Sequence, residues 1–167
     1  AAQKRSFYLK LGYYEIGPGY SHAFVLVEGP NGQTFVVRGG PSADGGYSAV
    51  TGGSTESSGD VGFGVLTVTF ESWEPGNYEY DQYQIKGSGM KTIAFTSSRW
   101  SDPGKAFNNT ISRLFDFGQA VNRAKIPYRA ASTNSNAFAH QAISHLGYSR
   151  PSALVWAPGS ATELDVK

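Results

Sequence analysis

The apolar residues of this chain change their period once, near residue 100, and that change does most to limit the fold. Before it, short runs partly alternate and are rich in β-branched and aromatic residues, as in "SFYLKLGYYEI" (6–16), "SHAFVLVEG" (21–29) and "QTFVVRGG" (33–40). Strands are also expected at 61–73, 77–85 and 90–97, with "EPGN" and "KGSG" as breaks. After it, Phe107, Ile111, Leu114, Phe115 and Val121 recur at helical spacing within 102–125. Asp102 before Pro103 supplies an N-cap followed by proline at the first helical position. A second helix is expected at 134–148, with Ala137, Phe138, Ala142, Ile143 and Leu146 apolar and Gly147 as its stop. Strands first and helices last predict an α+β fold, an antiparallel sheet packed against two C-terminal helices.

With 167 residues, 40% of them hydrophobic, the chain can bury one core and reads as a single domain. "EGPNGQ" between the second and third runs is a hairpin signal, because Asn and Gly tolerate the turn's backbone angles. Residues 39–62 are Gly/Ser-rich with little to bury, and read as a long mobile loop rather than a linker.

Several function classes recede at this point. The net charge is +1 with scattered basic residues, which gives no electrostatic case for nucleic acid. There is no Cys, so disulfides and thiolate metal sites are excluded. A chain without Cys suits an exported bacterial protein and a cytosolic one alike. No run approaches the ~18 apolar residues of a membrane span. The N-terminal "AAQKRSFYLK" lacks the apolar core of a signal peptide. It suits either a mature N-terminus or the edge of a domain from a longer chain.

The stretch "STNSNAFAHQA" (132–142) allows two chemistries. Thr133, Asn134 or Ser135 can cap the free N–H groups of the first helical turn. Ser135 in that turn can also act as a nucleophile, with the positive end of the helix dipole and its free N–H groups facing a developing oxyanion. A serine needs a base for this. His140, five residues on, faces away from Ser135 and reads as a partly exposed helix residue. His145 lies in the last turn, where the dipole favours a cation. His22, at the start of a strand, is the histidine placed by a different element. The histidine spacings carry no metal signal, and Glu74, Glu79 and Asp81 form no marked pair for acid–base work.

Two segments together resemble the circularly permuted papain-like proteins, which include NlpC-related hydrolases, lecithin:retinol acyltransferase-like enzymes and PPPDE isopeptidases. "YSHAFVLVEGPNGQTFVVRGGP" (20–41) looks like the histidine-bearing hairpin, and "NSNAF" (134–138) like the motif Asn-Cys-x-x-Phe, with Ser where Cys is expected. The resemblance covers roughly 20–40 and 104–148. It implies His22 as base and Ser135 as nucleophile of an amide or ester hydrolase or acyltransferase without cofactor. Asn134 would orient the loop or serve the oxyanion site. The residue orienting the histidine would come from the next strand, with Gln33, Thr34 and Arg38 as candidates. Arg38, Gln33, Tyr20 and Tyr128 would contribute to substrate binding, with tyrosines and the 39–62 loop walling the site. Peptidoglycan or peptide amides are the first expected substrates and lipid esters the second. A secreted or delivered toxin-type module, met by an immunity protein, also fits. Ser in place of Cys leaves three alternatives: a true Ser–His hydrolase, an inactive relative that binds a peptide, glycan or protein, and a substituted catalytic Cys.

Overall fold

The computed structural model describes residues 6–17, 20–42, 64–97, 101–129, 134–153 and 157–166. Among the described residues five strands are seen: β1 (Ser6–Gly17), β2 (Tyr20–Glu28), β3 (Thr34–Pro41), β4 (Leu66–Ser72) and β5 (Gly87–Ser97). Three helices among the described residues accompany them: α1 (Tyr78–Lys86), α2 (Pro103–Ala124) and α3 (Ser135–His145). The strands form one antiparallel sheet in the order β4-β3-β2-β1-β5. The fold is therefore α+β, with the two C-terminal helices packed on the sheet. None of the described helices is long and apolar enough to cross a membrane.

Strand alternation sends side chains to two different partners. Leu9, Leu11, Tyr13, Ala23, Val25, Val27 and Val37 face α2 and α3 and build the main core. Tyr14, Phe24, Leu26 and Val36 face the other way, against Trp73 and Tyr83. The β2–β3 hairpin turns where "GPNGQ" predicts it. Gly29 N–H donates to the Gln33 carbonyl at 2.6 Å, and Gly32 takes φ +79°.

α2 starts as expected, with Asp102 accepting from Lys105 N–H at 3.1 Å and Pro103 leading the helix. Its buried stripe is Phe107, Leu114, Phe117 and Val121. Phe115, assigned to that stripe from spacing, is instead exposed beside Phe70, and Phe117 takes the core position. α3 ends at the expected glycine, with Gly147 at φ +97°. Its last carbonyls receive the Arg113 guanidinium, at 2.9 Å on His145 O and 3.1 Å on Leu146 O. Arg113, and not His145, therefore supplies the cation at this helix end. Burial and the nearby Arg113 lower the pKa of His145 against an opposing pull from Asp116.

The segment 77–85, expected to be a strand, is the helix α1. Asn77 accepts from Tyr80 N–H at 3.0 Å, and Glu79 and Asp81 sit in the first turn where the dipole favours acids. The alternating tyrosines mimic a strand, but Tyr80 and Tyr83 are three apart and pack on the same Trp73 ring. β3 runs on to Pro41, so the expected 39–62 loop starts later than composition suggested. Its residues 43–62 lie outside the described residues.

Candidate functional site

The β2–β3 ladder stops short of the start of β2. It pairs Val25 with Val37 and continues to Glu28 with Thr34, while β3 beyond Val37 pairs only with β4. The first turn of α3 enters the gap this leaves. Asn136 places its side-chain amide against β2: Oδ1 accepts from Ala23 N–H at 2.7 Å, and Nδ2 donates to Ser21 O at 2.9 Å. The carboxamide thus takes the two backbone groups that a neighbouring strand would have taken. Nδ2 also lies 2.9 Å from Pro158 O. α3 can come this close to β3 because Gly39 has no side chain; a Cβ there would lie 3.1 Å from Phe138 Cβ and 2.8 Å from Leu66 Cδ1.

That insertion brings Ser135 to His22. Ser135 Oγ lies 2.6 Å from His22 Nδ1, across 113 residues of sequence. On the other side of the ring, Nε2 lies 2.8 Å from Glu79 Oε2. Glu79 comes from α1, on the sheet face opposite α3, and is 1% exposed. His22 sits opposite Tyr14 in the β1–β2 ladder, at the end of the sheet where the two faces meet. Tyr14 donates its hydroxyl to Glu79 Oε1 at 3.1 Å, and Arg38 Nε stands 3.2 Å from the same oxygen as an ion-pair partner. The Arg38 contact has the distance of an ion pair without the alignment of a hydrogen bond.

Charge and hydrogen bonding indicate which ring nitrogen donates to Glu79. Burial alone would raise the Glu79 pKa. The His22 ring, with its charge and hydrogen bond, the Arg38 charge and the Tyr14 hydroxyl outweigh it and hold that pKa below the ordinary value. An ionised Glu79 only accepts, so Nε2 of His22 carries the hydrogen. In the neutral ring Nδ1 then turns a lone pair toward the Ser135 hydroxyl, which is what a general base requires. The ring is used in the reverse sense to trypsin-like proteases, where Nε2 faces the serine.

The asparagine before Ser135 is a cap. Asn134 Oδ1 accepts from Asn136 N–H at 3.0 Å and Ala137 N–H at 3.1 Å, and Nδ2 donates to Pro158 O at 2.9 Å. Oδ1 is taken by the cap, and Nδ2 ties the start of α3 to Pro158. Of the first-turn donors, Ser135 N–H has no acceptor among the described residues. It is the donor left to face an oxyanion.

His140 corrects an expectation. It does not pair with Ser135, but neither is it exposed: it is 0% exposed, with Nδ1 2.8 Å from Asn136 O and Nε2 2.8 Å from Tyr13 OH. Asn136 O can only accept, so Nδ1 carries the hydrogen and Nε2 accepts from Tyr13. Burial lowers the His140 pKa, against the Asn136 hydrogen bond and with help from Arg150 and Lys91.

The other expected residues separate cleanly. Arg38 belongs to the site but acts on Glu79, one step behind the histidine. Tyr128 is buried and lines a cleft with His22, Arg38 and Tyr14. Gln33 is exposed at the far end of the hairpin, opposite Gly29, with Thr34 beside it. That is roughly seven residues from His22, or about 23 Å at a strand's ~3.3 Å per residue. Neither can orient the histidine. The Tyr20 side chain lies outside the described residues. Glu79, Tyr14 and Asn136 were not singled out from sequence. For Glu79, the usable signal was Asn77 followed by two acids, a helix start in place of a strand.

Comparison of the chain with protein-family models, with curated proteins and with solved structures finds no match.

Proposed function

We propose that the chain is a serine hydrolase or acyltransferase of permuted papain-like type, acting on an amide or ester carbonyl. The observation that carries this is the continuous chain Ser135–His22–Glu79, at 2.6 and 2.8 Å. In the first step the Ser135 hydroxyl proton passes to His22 Nδ1 as Oγ bonds to the carbonyl carbon. The imidazolium is stabilised by Glu79 through Nε2. Ser135 N–H and the α3 dipole face the negative oxygen. On collapse the carbon–leaving-group bond breaks, and the leaving amine or alkoxide takes the proton from Nδ1. Water, or another acceptor, then frees the acyl group by the same steps in reverse. Peptidoglycan or peptide amides are the first substrates to assay and lipid esters the second.

A substrate is not needed to test the site. The chain has no Cys, so Ser135→Cys introduces its single thiol. Beside His22 and a helix N-terminus that thiol should titrate well below the ordinary ~8.5. The measurement is the rate of iodoacetamide alkylation against pH. The expected outcome is rapid alkylation at pH 6 that Ser135→Cys/His22→Ala loses. A thiol that titrates near its ordinary value in both backgrounds sinks the assignment.

A second reading, a binding module without catalysis, is favoured by one observation: Ser135 is only 4% exposed. In that case Ser135→Cys would be alkylated slowly at every pH, and Ser135→Ala would leave ligand binding intact.

A further inference from the structure

The cleft beside His22 is small and unevenly charged. Its volume is about 100 Å³, and Tyr14, His22, Arg38, Tyr78, Lys86 and Tyr128 are among its walls. At roughly 30 Å³ for each water, that is the room of about three waters. Among the described residues, no Asp or Glu lines it. Arg38 is matched by Glu79 behind the wall, at 3.2 Å. His22 is neutral when it serves as a base. Lys86 has no ion-pair partner among the described residues, so it adds an unmatched positive charge to the lining of the cleft. It stands in the last turn of α1, where the helix dipole holds a cation in place. The same helix carries Glu79, so the site's carboxylate and this lysine are set by one rigid element.

We infer that the cleft binds a short carboxylate-bearing side chain next to the scissile carbonyl, with Lys86 as its specificity-determining residue. The assignment rests on the hydrolase reading for its catalytic half. A cleft of this size admits a carboxylate on one or two methylenes and little more. The unmatched charge favours an anion in the cleft, with its field screened by the solvent around Lys86. An aspartyl- or glutamyl-type acyl group meets those demands, whereas its amide forfeits the charge interaction at almost the same size. The effect should be moderate, because Lys86 is exposed to solvent.

The test compares acetyl-glutamyl and acetyl-glutaminyl 4-methylcoumarin-7-amide, which are nearly isosteric. With the natural chain kcat/KM should favour the glutamyl substrate by about fivefold. The ratio should fall toward one in Lys86→Gln, and also at about 1 M salt, where the screening length is ~3 Å. In parallel, acetyl-glutamate amide and acetyl-glutamine amide are titrated into Ser135→Ala protein, followed by NMR. Equal turnover of the two substrates, or a preference that survives Lys86→Gln, overturns the inference. Binding that prefers the glutamate and depends on Lys86, with no turnover of either substrate and an ordinary Ser135→Cys thiol, supports the cleft assignment and sinks the hydrolase reading alone. No turnover and no binding preference overturns both.

Discussion

Replacing Asn136 by Leu tests how the site is assembled. The two side chains are similar in size, so the change removes polarity more than volume. The side chain is 1% exposed. Three hydrogen bonds are lost, from Ala23 N–H at 2.7 Å, and to Ser21 O and Pro158 O at 2.9 Å each. Pro158 O keeps its bond from Asn134 Nδ2, so it is not stranded. Ala23 N–H and Ser21 O are left facing an apolar group in a buried place. At about 1–3 kcal/mol for each stranded group, the loss is about 2–6 kcal/mol. That is a large part of a typical ~5–15 kcal/mol. The measurement is urea unfolding at constant m value. Combining the change with Ser135→Cys should also return the thiol toward its ordinary pKa, because α3 loses its hold on β2. By contrast, Asn134→Ala removes an ordinary cap at a cost of about 1 kcal/mol. A loss below about 1 kcal/mol for Asn136→Leu, with the thiol still depressed, refutes the claim that this amide holds Ser135 against His22.

The remaining predictions concern the two ends of the polar network. Glu79→Gln keeps the shape but allows the amide to donate to Nε2, which turns the wrong histidine tautomer toward Ser135. Acylation by a fluorophosphonate probe should fall by about a thousandfold or more, as tautomer loss does in serine proteases, and unchanged labelling would remove Glu79 from the mechanism. His140 is held below its ordinary value by burial, so the unfolded chain binds its proton first as pH falls. Its contribution to stability is complete above about pH 6.5 and declines as pH drops toward the lower folded value. His145 shifts in the same direction, so His140→Gln should flatten only part of the slope in unfolding free energy between about pH 7 and 5. A slope that His140→Gln leaves whole would contradict the buried neutral ring.

Local chemistry wrote much of this fold into the sequence. The hairpin follows from Pro-Asn-Gly, α2 from Asp102-Pro103 and its apolar spacing, and the end of α3 from Gly147, because each depends on residues within a few positions of one another. Ser135 and His22 could be named from two short motifs in their order along the chain. Local signals failed where two patterns overlapped, as in "NYEYDQYQI", whose tyrosines alternate like a strand while Asn77 caps a helix. Gln33 and Thr34 failed for a geometric reason: a hairpin sends its turn to the end of the sheet farthest from His22. Only the tertiary structure decided the rest. Glu79 meets His22 across 57 residues, and Asn136 meets Ala23 across 113. Neither contact leaves a periodic trace, because each exists only once a strand ladder ends early and a helix start fills the opening.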